Sequence, residues 1–158
     1  MVTRRLLLTG TAFSAAVWCV TPAHATEAFA VIHSKAEWRA LLTPEQYIVL
    51  RESDTERAYT SPLLHEDRPG IFACAGCDLD QFSSTAKYET HTGWPSFLAP
   101  LDGAVETTRD TSFATLRRSL HCTRCGSHVG HVFNDGPKPA GLRYCMNGVA
   151  LTFKAAAS

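Results

Sequence analysis

A surplus of charge of either sign is missing from this 158-residue chain, which sets 15 lysines and arginines against 15 aspartates and glutamates. Nucleic acids and anionic membranes are held by a basic surplus, so the composition gives no support to either partner. Also missing is an apolar run of the ~20 residues that a membrane-spanning helix needs. The one apolar stretch, Leu6 to Val20, is broken by Thr9, Gly10, Thr11 and Ser14. No repeat stands out beyond two short cysteine turns, and no low-complexity linker divides the chain, which argues for a single domain.

The broken apolar stretch reads instead as a removable export signal. Met1-Val2-Thr3-Arg4-Arg5 is a basic head, and Pro22-Ala23-His24-Ala25 supplies an Ala-x-Ala cleavage pattern that makes Thr26 the mature N-terminus. The paired arginines resemble a twin-arginine signal, the route that carries folded proteins, with a general secretory signal as the alternative. Residues 1–25 are therefore assigned to the signal and 26–158 to one domain, exported in a bacterium to the periplasm. Removal takes 25 of the 158 residues and leaves 133, enough to bury about two thirds of the unfolded surface. It also takes two arginines and no acid, so 13 basic residues face 15 acidic ones and the mature net charge is −2. Ala16-Val17-Trp18-Cys19 is a poor lipid-attachment site, so Cys19 leaves with the signal, no membrane anchor remains, and a monomer is expected.

Four of the other five cysteines form two pairs of equal spacing, Cys74-Ala75-Gly76-Cys77 and Cys122-Thr123-Arg124-Cys125. A two-residue gap lets both thiolates of a tight turn point at one ion, and four thiolates make a closed tetrahedral site whose usual occupant is zinc, with iron the minor alternative. A closed site keeps no position for water, so the metal's role is structural. A redox-active pair or two disulfides are the competing readings, and the duplicated spacing favours metal. The long interval between the pairs means that the ion would clip together distant parts of the domain.

Ser34-Lys35-Ala36-Glu37 is a capping box for a short helix through Leu42, and Thr43-Pro44-Glu45-Gln46 opens a second. From Ser53 to Pro69 the chain is polar and proline-punctuated, which predicts loop or short edge strands. Short apolar runs then predict antiparallel strands at Gly70–Ala73, Ala104–Thr107, Leu116–His121, Val129–Asn134, Leu142–Asn147 and Ala150–Phe153. The fold class that follows is mainly β with short N-terminal helices at one side.

The cysteine left over is Cys145, in Arg143-Tyr144-Cys145-Met146-Asn147-Gly148. On a strand, Arg143, Cys145 and Asn147 share one face, so the arginine could stabilise a thiolate and the asparagine offer an amide hydrogen bond. The bland alternative is a small buried hydrophobe beside a surface arginine. His128 and His131 are three apart and face opposite sides of a regular strand, so they line one pocket only if the backbone bends, as Gly130 permits. Trp94, in Thr92-Gly93-Trp94-Pro95-Ser96-Phe97, is either a rigid apolar wall for a ligand or a lid on the core edge.

From Trp38 almost to the C-terminus the chain resembles the MsrB family of methionine-R-sulfoxide reductases. The resemblance is carried by Leu42-Thr43-Pro44-Glu45-Gln46-Tyr47, Gly93-Trp94-Pro95-Ser96-Phe97, His128-Val129-Gly130-His131-Val132-Phe133, Asp135-Gly136-Pro137 and Arg143-Tyr144-Cys145. It implies two antiparallel sheets in a tent- or barrel-like arrangement, with a structural zinc on Cys74, Cys77, Cys122 and Cys125 away from the active site. It also implies reduction of the R epimer of methionine sulfoxide in peptides and proteins. Cys145 would be the nucleophile, Trp94 would hold the substrate methyl, His128 and His131 would bind and protonate the sulfoxide oxygen, and Arg143 and Asn147 would assist the thiolate.

Two positions depart from the family's pattern. Many members carry a resolving cysteine just before the Gly-Trp-Pro-Ser-Phe motif, where this chain has Thr92, and many have serine where it has Gly148. With Cys19 removed and four cysteines on metal, Cys145 would have no partner within the chain, and an external or thioredoxin-like thiol would regenerate it. The rival from another class is a zinc-clipped binding module that uses the Trp94 pocket without chemistry. A thiol–disulfide oxidoreductase, the third reading, would need one Cys-x-x-Cys to be redox-active.

Overall fold

The computed structural model describes residues 29–110 and 117–157, so the expected signal at 1–25 and Leu116, at the head of one expected strand, lie outside the described residues. Both predicted capping boxes are present. Ser34 Oγ accepts from the Glu37 N–H at 3.3 Å, while the Glu37 carboxylate accepts from the Ser34 N–H at 2.7 Å. Thr43 and Gln46 repeat the exchange at 3.2 and 3.1 Å. Each cap stabilises its helix by about 1 kcal/mol. They open α1 (Lys35–Leu41) and α2 (Pro44–Glu52), whose inner faces send Trp38, Tyr47, Val49 and Leu50 into the core. Among the described residues no helix is long and apolar enough to cross a membrane.

The strands are β1 (Gly70–Cys74), β2 (Asp80–Ser83), β3 (Lys87–Tyr88), β4 (Ser96–Phe97), β5 (Val105–Asp110), β6 (Arg117–Cys122), β7 (His128–Phe133), β8 (Arg143–Met146) and β9 (Leu151–Ala155). They form a three-stranded sheet in the order β2-β1-β9 and a six-stranded sheet in the order β3-β4-β8-β7-β6-β5, antiparallel throughout. The expected class, mainly β in two antiparallel sheets with short helices, is therefore what the chain adopts. Each predicted strand has a counterpart. Three strands were not predicted, because β3 and β4 have two residues each and β2 is polar, so none offers an apolar period to read. The 53–69 segment contains a 3₁₀ turn at Pro62–His65.

Aromatic packing joins the sheets. Phe82 of β2 stacks on Phe97 of β4 with centroids 4.5 Å apart, and Phe72 of β1 meets Phe97 edge-on at 5.0 Å. In the larger sheet Leu120, Val132, Met146 and Phe97 point into this core. Their alternates point the other way. Register pairs link Tyr88 to Ser96, Ser96 to Cys145, Cys145 to His131, His131 to Ser119 and Ser119 to Thr108, one row crossing all six strands.

Candidate active site

Cys145 sits in the middle of that row, at the floor of a cleft of about 80 Å³ lined also by Thr55, Trp94, Gly130, His131, Phe133, Met146 and Asn147. That volume equals the space of two or three waters at ~30 Å³ each, enough for the tip of one side chain. Trp94 and Phe133 make one part of the lining apolar. Thr55, His131 and Asn147 make the rest hydrogen-bonding. The cleft suits a small group with a methyl on one side and an acceptor on the other. A larger hollow among the described residues, about 950 Å³, shares Thr55 with the cleft and does not include Cys145.

Burial pushes the Cys145 thiol above its ordinary value, and the Arg143 guanidinium, followed by hydroxyl contacts such as Ser96 and Thr92, works against that shift. Burial wins, so in the substrate-free protein the group is mainly a thiol. The sequence reading had Arg143 lowering the thiol; it does so only as the smaller effect. Arg143 is itself committed to Asp135, donating from Nε and Nη2 at 2.8 Å each, and its guanidinium lies 4.4 Å from the Phe133 ring centre. The hydroxyls beside the thiol form a chain, with Thr92 to Thr90 at 2.8 Å and Thr90 to Ser96 at 3.1 Å.

His128 and His131 do meet, with ring centroids 5.0 Å apart. The cause is a β-bulge, a local bend of the strand at Val129, next to Gly130. The β6–β7 register slips by one residue, since Leu120 pairs with Gly130 but His121 with His128. The extra residue puts Val129 in the core and His128 beside Ser119, whose hydroxyl lies 2.8 Å from Nδ1. His128 is only 2 % exposed, does not line the cleft, and its buried Nε2 has no hydrogen-bond partner. Burial first, then the neighbouring imidazoles of His131 and His121, lower its pKa to about 4. It is a neutral ring at pH 7. His131 does line the cleft, and its Nε2 lies 3.1 Å from the Asp110 carboxylate of β5.

Gly130 has a further use. A Cβ there would strike the carbonyl oxygen of Cys145 on the neighbouring strand, so glycine is what lets β7 and β8 close at the cleft floor. Asn147 lies one residue past β8, which ends at Met146, yet its side chain still reaches the cleft.

Glu56, which sequence reasoning missed, holds this end of the site together. Its backbone carbonyl accepts from the Trp94 indole N–H at 3.2 Å, and its own N–H donates to Asn147 Oδ1 at 3.1 Å. Its carboxylate accepts from the N–H groups of Gly148 at 2.5 Å and Val149 at 2.8 Å. Burial raises the Glu56 pKa against those two hydrogen bonds. Asp110 and Asp135 were also missed. Only their places in the fold connect them to the site, apart from Asp135 lying in a motif that carried the resemblance. A Cβ at Gly148 would collide with Ser61 Oγ and meet Ser61 Cβ at 2.5 Å, so Ser61 fills the space that a serine at 148 would need.

Cys74, Cys77, Cys122 and Cys125 converge as predicted, with ligand sulfurs all within 4.8 Å of one another. Cys74 Sγ is 3.8 Å from Cys125 Sγ, and Cys77 Sγ is 3.5 Å from Cys122 Sγ. Zn–S bonds of about 2.3 Å in a tetrahedron require sulfurs about 3.8 Å apart, so the donor set fits such an ion. One pair lies at the end of β1 in the small sheet, the other at the β6–β7 turn of the large one. The cluster shares no residue with the cleft. Arg51 of α2 braces it, donating to the Cys125 carbonyl at 3.1 Å while stacking over Trp38.

The model of the SelR domain matches residues 42–155. A peptide methionine sulfoxide reductase MsrB of Leptospira interrogans serogroup Icterohaemorrhagiae serovar Lai (strain 56601) is 46% identical over 127 residues, covering 80% of this chain and 97% of that protein. One of the same name from Pseudomonas putida (strain W619) is 51% identical over 119 residues, covering 75% and 90%. Among solved structures, the Mis18 "Yippee-like" domain is similar over 58% of this chain and 100% of that chain, with a TM-score of 0.46 and 20% identity. With its SelR domain and these relatives, the chain belongs to the MsrB family of peptide methionine sulfoxide reductases.

Proposed function

We propose that this protein reduces methionine-R-sulfoxide residues of peptides and proteins to methionine, with Cys145 as the nucleophile. The observation that carries the reading is the pairing of Cys145 with His131 inside a cleft walled on one side by Trp94. The substrate methyl lies against the Trp94 and Phe133 rings, and the sulfoxide oxygen faces His131, Asn147 and Thr55. As the Cys145 sulfur attacks the sulfoxide sulfur, the thiol proton passes by way of His131 to the sulfoxide oxygen, which becomes a hydroxyl. That hydroxyl transfers to Cys145, forming a sulfenic acid, while the sulfur leaves as the thioether of methionine. Asp110 orients His131. His128, neutral and buried, packs behind it and does not touch the substrate.

Regeneration needs two electrons from outside the chain. A first thiol attacks the sulfenic acid, releasing water and forming a mixed disulfide with Cys145; a second thiol attacks that disulfide and frees the Cys145 thiol. Thr92 offers a hydroxyl where many relatives of the family carry a resolving thiol, so both come from a thioredoxin-like partner or a small thiol. Zinc on the four clustered cysteines supplies no step and holds the two sheets together. Residues 1–25 act as the export signal, and the mature monomer works in the periplasm as a repair enzyme.

The deciding experiment is dithiothreitol-driven turnover of the separate R and S epimers of a blocked methionine sulfoxide by the zinc-loaded protein and its Cys145→Ser variant. Reduction of R alone, lost in the variant, is expected. Absence of turnover by folded wild type would transfer the reading to the binding module, and an intramolecular disulfide to Cys145 in trapped oxidised enzyme would sink the one-cysteine cycle.

A further inference from the structure

The cleft admits a side-chain tip and nothing more, so the rest of a polypeptide substrate must lie on some other surface. Beside the cleft runs the 950 Å³ hollow, at the top of the about 300–1,000 Å³ range of ligand sites, whereas the cleft at 80 Å³ falls well below it. Thr55 lines both. Glu56, next in sequence, binds Trp94 and Asn147 of the cleft and Gly148 of the hollow, so this loop borders both spaces.

The groove's surface is mostly apolar, built from Ile48 and Val49 of α2, Leu63, Val149, Leu151 and Phe153. Ile48 is 46% exposed, an unusual place for a large aliphatic side chain on an otherwise polar helix face. The exposed charges at the groove are Glu45 and Asp54 against Arg57, with the Glu56 carboxylate already turned to two backbone N–H groups. The local balance is acidic.

From this geometry we propose that the groove between α2, the 54–63 loop and the 148–153 segment seats the residues flanking the oxidised methionine, and that it selects polypeptides with an apolar flank and a nearby base. The inference rests on the proposed sulfoxide reductase activity and names its substrate class. Apolar burial in the groove supplies the gain, and the Glu45 and Asp54 carboxylates make an acidic flank the worst one.

The test compares kcat/KM, with dithiothreitol as reductant, for a blocked methionine-R-sulfoxide and for short peptides carrying it beside leucine and lysine or beside leucine and glutamate. Wild type, Ile48→Ala and Ile48→Glu are assayed. The expected result is an advantage of the leucine–lysine peptide over the blocked amino acid of roughly tenfold, what burying one apolar side chain supplies. The advantage shrinks in Ile48→Ala and disappears in Ile48→Glu, while the blocked amino acid is reduced at the wild-type rate by all three. Equal kcat/KM for all substrates in wild type would overturn the groove and leave the reductase reading standing; no reduction of the blocked amino acid would sink that reading itself. A defect of Ile48→Glu seen only with a protein thiol reductant would assign the groove to the reductant and overturn the proposal.

Discussion

Cys145 and His131 are register partners on β8 and β7, so their side chains leave the larger sheet on the same face. Closely spaced antiparallel strands at Gly130 make that proximity a property of the backbone, not of flexible side chains. The thiol is nonetheless buried enough to stay mainly protonated before substrate arrives.

Alkylation of Cys145 by iodoacetamide in the substrate-free protein should therefore be slow at pH 7 and rise as pH climbs past the ordinary thiol value of 9.0. Removing the cation in Arg143→Gln moves the thiol further up and slows the reaction again. Mass spectrometry of the Cys145 peptide reads both. Fast labelling that is flat between pH 6 and 8 would contradict the balance of effects argued here.

Glu56 ties two distant parts of the site, so Glu56→Ala is expected to act on stability and catalysis together. Two N–H groups, on Gly148 and Val149, lose their acceptors, a loss of about 1–3 kcal/mol in urea unfolding. Displacement of Trp94 and Asn147 lowers kcat/KM by about tenfold to hundredfold. Glu56→Gln, which keeps one acceptor oxygen, should fall between.

His128 gives stability a defined pH dependence. Its folded pKa lies at about 4, below the 6.5 of an unperturbed histidine, so between those values the unfolded chain binds more protons. The contribution is complete above pH 6.5 and is lost as pH falls toward 4, at most about 3 kcal/mol. Urea midpoints measured across that window should slope less in His128→Gln than in wild type. Cysteine protonation and metal loss at low pH affect both chains alike, so the difference between them is the readout.

Gly148→Ser should destabilise, since the new side chain meets Ser61, at about 1–3 kcal/mol for overpacking. Adding Ser61→Gly should recover most of it. A double-mutant cycle showing additive effects would mean that the two positions do not share the space.

What the sequence revealed and what it hid divide along one line. Caps, apolar strand runs and the two cysteine turns depend on residues within a few positions of each other, and these were readable. Glu56 and Asp110 act through contacts with Trp94, Asn147 and His131, and nothing near them in the chain announces it. His128 shows the limit most clearly. Its residue type was noticed, but its direction depends on the one-residue slip in β6–β7 pairing, which belongs to two strands at once.

The row from Tyr88 to Thr108 has an evolutionary consequence. Six strands contribute to it by pairing frame alone, and in β4, β6, β7 and β8 the residues on the opposite face, Phe97, Leu120, Val132 and Met146, belong to the core. An insertion or deletion of one residue within any of these strands would turn the reactive face inward and the greasy face outward in a single event. The chemistry of this sheet and its foldability are thus inherited as one unit: point substitutions can tune the thiol's neighbours, but changes of length are confined to the turns between strands.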